Sequence, residues 1–306
     1  MLDSYCLDIF YIFLGIFILV YLAIFEYCGH VSKKSTTSRQ AQSQTIGSYG
    51  YGDCDGPHIW KDNFPNACGE NQSPVNLQSP CAIVVHAETL LNPLEFSREY
   101  RSFPPELILI NDGHTINICP EFKECPTPKI SGGPLDGSYE LHSLNLRWGP
   151  NDEEGTEHMV DNKRFAMEMQ VTFMRAGHRN KYIAADAGDV IMIAYIYEIT
   201  PIDNPFLDII LEPLGTNSVS FKRYEIEPIP VSLLAPCFSR GYFSYVGSLT
   251  HPPCTEGVRW IVQPEPLSIS CRQIKKLRKT PMLYCEQKTN TRPVQELNSR
   301  EIIYYD

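Results

Sequence analysis

Basic residues are in short supply in this 306-residue chain: 26 Lys and Arg stand against 36 Asp and Glu, a formal net charge of −10. Grip on nucleic-acid phosphates needs a basic stripe, so nucleic acid is excluded as a partner. The one local basic run, residues 272–279, reads as the solvated face of a short helix. Helical periodicity is scarce too, limited to short stretches such as 270–278, and no internal repeat is evident. Both absences turn attention to strands. Large apolar residues are nearly missing from 32–48, which is rich in Ser, Thr, Gln and Lys. Such a stretch cannot bury enough surface to fold alone, so residues 26–49 are expected to form a flexible polar stalk.

The flank at residues 1–8 has no Lys or Arg and carries Asp3 and Asp8. Behind it, residues 9–25 are an uncharged apolar run of 17 residues, bounded by Asp8 and Glu26. That length suits either a short membrane span or the apolar part of a signal peptide. Signal peptides start with positive charge and end at a small-x-small cleavage site, and neither is present. A membrane anchor at 9–25 is therefore expected, with secretion after cleavage as the alternative. Lys33, Lys34 and Arg39 lie just beyond the run and, by the positive-inside rule, argue for a cytoplasmic position of that flank.

What remains, residues 50–306, is long for one domain but usual for a large β architecture with one core. Short β-rich runs at 107–110, 189–198 and 206–211 are punctuated by most of the chain's 24 prolines and 19 glycines. The expectation is a mostly β fold with a few short helices. Within it, Ser143-Leu-Asn-Leu-Arg-Trp-Gly149 places Leu144, Leu146 and Trp148 on one face of a strand and Ser143, Asn145 and Arg147 on the other. A half-buried strand with a polar row is predicted.

This run resembles the strand of α-carbonic anhydrases that carries two zinc-ligand histidines, and those two positions hold Asn145 and Arg147 here. Further landmarks follow in the family's order: Gly56-Pro57 with Trp60, Cys68-Gly-Glu-Asn-Gln-Ser-Pro-Val-Asn76, Asn111-Asp-Gly-His114, Gly132-Gly-Pro-Leu-Asp-Gly137, Gly155-Thr-Glu-His158, Gly247-Ser-Leu-Thr-His-Pro-Pro-Cys254, Trp260-Ile-Val262, and Arg292-Pro293 with Asn298-Ser-Arg300. The resemblance implies one ten-stranded, largely antiparallel twisted sheet with a funnel-shaped cavity. It also implies a tetrahedral zinc on three His whose bound hydroxide attacks carbon dioxide.

The third ligand position falls in Glu168-Met169-Gln170, so the three positions are Asn145, Arg147 and Gln170. Amides are poor zinc ligands, and a guanidinium that cannot deprotonate competes with a dication. No cofactor is therefore expected, and none of the eight histidines restores a set of three; His251 with His114 comes nearest. Thr250, Glu157 and His114 match the family's groups around the metal, for orienting hydroxide and moving a proton. Without metal, Thr250 and Glu157 are expected to persist as a buried hydrogen-bond pair. Arg147 and Glu168 form the candidate charge pair, with Glu157 the other carboxylate in reach. The family also implies a Cys68–Cys254 disulfide and hence an oxidising, extracytoplasmic location. Cys119 and Cys125 are a second candidate pair, with two free thiols the equal alternative.

These readings favour a pseudoenzyme that acts as a membrane-tethered binding or interaction domain for a protein partner. The alternatives are a carbonate dehydratase with an unconventional site, and a module binding a small anion or carboxylate through Arg147, His114 and His251.

Overall fold

A computed structural model describes residues 48–214, 222–283 and 288–306. The expected anchor at 9–25 and nearly all of the expected stalk lie outside the described residues. Among the described residues no helix is long and apolar enough to cross a membrane. Strands fall at β1 Asn76–Leu77, β2 Ile83–Val85, β3 Glu95–Phe96, β4 Glu106–Asn111, β5 Ile116–Glu121, β6 Lys129–Ser131, β7 Tyr139–Trp148, β8 Met159–Val160, β9 Met167–Arg175, β10 Val190–Thr200, β11 Arg223–Ile226, β12 Tyr242–Ser248, β13 Glu256–Ser270 and β14 Ile303–Tyr305. Helices are short: α1 Trp60–Asn63, α2 Lys181–Asp186, α3 Pro205–Leu211, α4 Val231–Leu234 and α5 Cys271–Arg278.

The expected mostly β fold is observed. Ten strands form one path in the order β11-β4-β5-β7-β9-β10-β13-β12-β14-β2, and β3 and β6 attach at its side to make a 12-stranded sheet. Only β10–β13 and β14–β2 run parallel along that path; the other neighbours are antiparallel. The centre of the sheet is buried on both sides, which explains the unbroken apolar run Val190-Ile-Met-Ile-Ala-Tyr-Ile-Tyr197 in β10. One side packs Leu144, Leu146, Trp148, Met169, Val171, Ile193 and Tyr195. The other packs Met192, Ala194, Ile196, Phe243, Tyr245 and Trp260.

Two expectations about elements need correction. Residues 206–211 are helix α3, not a strand. A continuous apolar run does not distinguish helix from strand by period. The N-terminal signals decide it: the Asn204 side chain accepts a hydrogen bond from Phe206 N at 3.1 Å, and Pro205 occupies the first helical position. Such a cap is worth about 1 kcal/mol. The predicted helix at 270–278 does form, as α5, closed by a capping box between Ser270 and Gln273. Strand β7, expected to be half-buried, is buried on both faces from Ser143 to Trp148. Its polar row faces the interior of the molecule.

Candidate functional site

Register builds the polar row. Strands β7 and β9 pair so that Asn145 lies opposite Gln170, and Arg147 opposite Glu168. On the far side β10 sets Ala194 beside Gln170 and Ile196 beside Glu168. Across β5, Asn117 lies opposite Asn145, whose Nδ2 donates to Asn117 Oδ1. Glu157 comes from the loop before β8. Its approach depends on Gly155, whose N–H and that of Thr156 both donate to Phe165 O. A Cβ added at Gly155 would stand 1.7 Å from Ala166 O, so only glycine lets the loop lie against the start of β9.

Arg147 is 2% exposed, and two of its three guanidinium nitrogens are engaged. Its Nε donates to Gln170 Oε1 at 3.2 Å, and its Nη1 donates to Tyr51 Oη at 3.1 Å and to Asn290 O at 3.4 Å. The nearest carboxylate is Glu157, with Oε2 3.6 Å from Nε: an ion pair too long for a hydrogen bond. The expected Arg147–Glu168 pair is thereby corrected, although the two residues are cross-strand neighbours. Glu168 is already saturated. It accepts from Glu157 N at 3.0 Å, His158 N at 2.8 Å and Gln170 Nε2 at 2.8 Å, and its Oε1 lies 2.9 Å from His158 Nδ1. Gln170 links the two carboxylates, since Nε2 also donates to Glu157 Oε2 at 2.6 Å.

The two buried acids are thereby pushed apart in acidity. Burial raises the Glu157 carboxyl above its ordinary pKa, a rise that Arg147 opposes and neighbouring Glu168 reinforces. Burial would raise Glu168 as well, but the adjoining His158 and the donors around it hold its carboxyl below the usual value. From His158 the network continues through Nε2 to Tyr245 Oη at 2.8 Å, and Tyr245 Oη donates to Ser73 Oγ at 2.9 Å.

The residues around His114 and His251 are arranged differently. Thr250 Oγ1 and His114 Nδ1 are buried without a hydrogen-bond partner. The expected Thr250–Glu157 hydrogen-bond pair does not form with normal geometry, although the hydroxyl acts on the carboxyl and opposes its rise in pKa. Glu157 instead accepts from Gln170 and, at Oε1, from Arg292 N at 2.9 Å. Tyr49 stacks on His114 with ring centroids 4.2 Å apart and faces His251 at 6.4 Å. Tyr49 was assigned to the end of the stalk, yet it packs within the folded domain. His251 Nε2 meets Lys181 Nζ at 3.0 Å, and its Nδ1 lies 2.9 Å from Pro252 O.

Cys68 and Cys254 are both free, which corrects the expected disulfide. Cys254 is buried among Tyr51, Trp60, Phe64 and Ala67, whereas Cys68 is exposed and donates to Lys61 O at 3.3 Å. Cys119 and Cys125 are free as well. Among the described residues no group of three or more His, Cys, Asp or Glu is placed to hold a metal ion. Sequence reasoning missed Tyr49, Tyr51, Lys181 and Asn290. The Tyr49-Gly-Tyr51-Gly pattern just ahead of Gly56-Pro57 was the available signal for the tyrosines.

A sheet with a polar row buried in its middle, flanked by Glu157, Thr250 and His114, is the architecture of one enzyme family. Residues 55–306 match the model of the eukaryotic-type carbonic anhydrases, and the chain belongs to that family. It is similar to carbonic anhydrase 7 of Homo sapiens and of Mus musculus, 32% identical over 263 residues in each case, covering 83% of this chain and 96% of the relative. Carbonic anhydrase 3 of Homo sapiens is 30% identical over 265 residues, with the same coverage.

Proposed function

We propose that this carbonic anhydrase relative is a pseudoenzyme, a binding or interaction domain that holds no zinc at the family's metal position and does not hydrate carbon dioxide. The observation that carries the reading is the arrangement of Arg147. A permanent cation lies in the row where the family places imidazoles, and Gln170 spends its amide oxygen on that cation and its amide nitrogen on two carboxylates. Asn145 is likewise committed to Asn117. This donor set does not fit a zinc ion, so no hydration step is assigned to Thr250, Glu157 or His114 here.

Metal analysis and a hydration assay on the purified protein test this directly. We expect zinc far below one per chain and hydration at background; tightly bound zinc near one per chain would overturn the reading. Replacing Asn145, Arg147 and Gln170 together by His is expected to create zinc affinity, because Glu157, Thr250 and the β7–β9 register remain to support it.

A second reading, binding of a small anion near His251, is favoured by the unpartnered Thr250 Oγ1 and His114 Nδ1 and by Lys181, whose Nζ meets His251 Nε2 at 3.0 Å. For location, we retain residues 9–25 as a membrane tether with the β domain on the extracytoplasmic side, a placement that no longer draws on a Cys68–Cys254 bridge and rests on the translocation of large domains regardless of nearby positive charge. Labelling of exposed Cys68 in intact cells by a membrane-impermeant thiol reagent tests the side; protection until lysis would reverse it.

A further inference from the structure

Lys181 is the first residue of α2, positioned by Asn180, whose side chain accepts from Tyr182 N and Ile183 N. The residue is partly exposed, but its amine end is turned inward onto His251. Three features set this amine apart. Among the described residues no carboxylate forms an ion pair with it, unlike Lys123 and Lys129. Among the described residues its one hydrogen-bond partner is an imidazole nitrogen, His251 Nε2 at 3.0 Å, and the Tyr182 ring lies 5.4 Å away. The 2.9 Å contact between His251 Nδ1 and Pro252 O requires the ring proton at Nδ1, since a carbonyl only accepts, so Nε2 presents its lone pair to Lys181. Burial, together with the Arg147 charge, lowers the Lys181 pKa to about 8.

The surroundings also select what such an amine meets. Thr250, adjacent to His251 in the chain, is 1% exposed with its hydroxyl unpartnered, and His114 Nδ1 is unpartnered too. Burial lowers the pKa of His251 well below its ordinary value, with Lys181 and Arg147 lowering it further. At Lys181 the charge of Arg147 outweighs that of Asp112, and this local positive potential, combined with spare hydrogen-bonding atoms, suits a carboxylate.

We propose that Lys181 is a nucleophilic amine that forms an imine with a small aldehyde bearing a carboxylate, the carboxylate lying toward Thr250 and His114. The amine lone pair attacks the aldehyde carbon, a C–N bond forms as the C=O π bond breaks, and the first of the two nitrogen protons passes through His251 Nε2 to the carbonyl oxygen to give a carbinolamine. His251 Nε2 then accepts the second proton released from nitrogen and returns it to the departing hydroxyl. Water leaves as the C=N bond forms, so amine and aldehyde become imine and water with no oxidant or reductant. The inference rests on the anion-binding reading of these residues and deepens it.

Glyoxylate with cyanoborohydride, which reduces the imine to carboxymethyl-lysine, is the test; formaldehyde serves as the uncharged comparison. Peptide mapping of the full chain at neutral pH should show Lys181 modified about tenfold faster than Lys61, Lys163 and Lys279, with the preference larger for glyoxylate than for formaldehyde. In His251→Phe the preference for Lys181 should fall to that of the other lysines. Equal modification of all lysines by glyoxylate, or a Lys181 preference no larger than with formaldehyde, overturns the proposal. The wild-type comparison decides this even if the variant does not fold. Failure here leaves the zinc-free reading untouched, whereas bound zinc would overturn that reading without altering the lysine map.

Discussion

The inner row and the residues around His251 and His114 solve the problem of buried polarity in opposite ways. Around Glu157 and Glu168, each carboxylate oxygen accepts at least one hydrogen bond, and the Arg147 guanidinium divides its donors among Gln170, Tyr51 and Asn290. Around His251, Thr250 Oγ1 and His114 Nδ1 make no hydrogen bond of normal geometry, and Lys181 meets an imidazole and the face of Tyr182. Satisfied buried networks fix a structure, and unsatisfied ones are costly unless something outside the fold uses them. The contrast separates a part of the site that supports the fold from a part whose polar atoms the fold leaves unpaired.

The sharpest way to break that contrast is at Arg147. Arg147→Ala is expected to cost about 3–5 kcal/mol in chemical denaturation, because Glu157 and Gln170 lose a buried partner. Arg147→Met keeps the volume of the stem and should cost less. Equal and negligible losses for the two would show that the inner row does not depend on the guanidinium.

A smaller effect is expected around His251, and it depends on pH. The His251 pKa is lowered in the folded state, so the unfolded chain takes up this proton first. The contribution to stability is therefore full above about pH 6.5 and shrinks as pH falls below it, by up to about 1.4 kcal/mol per pH unit. His251→Phe should remove that component between about pH 6.5 and 5 in denaturation curves, and parallel curves for the two proteins would contradict it. Smallest of all is Thr250→Val, which deletes a hydroxyl that makes no hydrogen bond of normal geometry. Where losing an engaged buried hydroxyl costs about 1 kcal/mol, this change should be neutral or slightly stabilising by denaturant midpoint. A clear loss of stability would place Thr250 in the inner network after all.

The sequence made strands, order and the polar row legible for identifiable reasons. Period-two alternation in β7 separated Leu144, Leu146 and Trp148 from Asn145 and Arg147, and the two faces do pack differently. What alternation cannot show is that a polar face is covered by protein, because the covering groups, Tyr51 and Asn290, come from distant parts of the chain. The choice of Glu157 over Glu168 as partner of Arg147 was hidden for a similar reason: it depends on which lone pairs backbone amides have already taken. For 206–211 the local caps outweighed the β-like composition. The Cys68–Cys254 bridge rested on resemblance alone, and the structure keeps both thiols free.

The two-ended use of Gln170 has a consequence for mutational history. Its oxygen answers a cation and its nitrogen answers two anions, so the residue serves as a coupling between positions 147, 157 and 168. Substituting His at 170 alone would leave Arg147 short of an acceptor, and substituting His at 147 alone would strand the Gln170 oxygen. Each single step toward a metal-binding row lowers stability before the ion that could compensate is able to bind. Positions 147 and 170 are therefore expected to tolerate change together better than change one at a time.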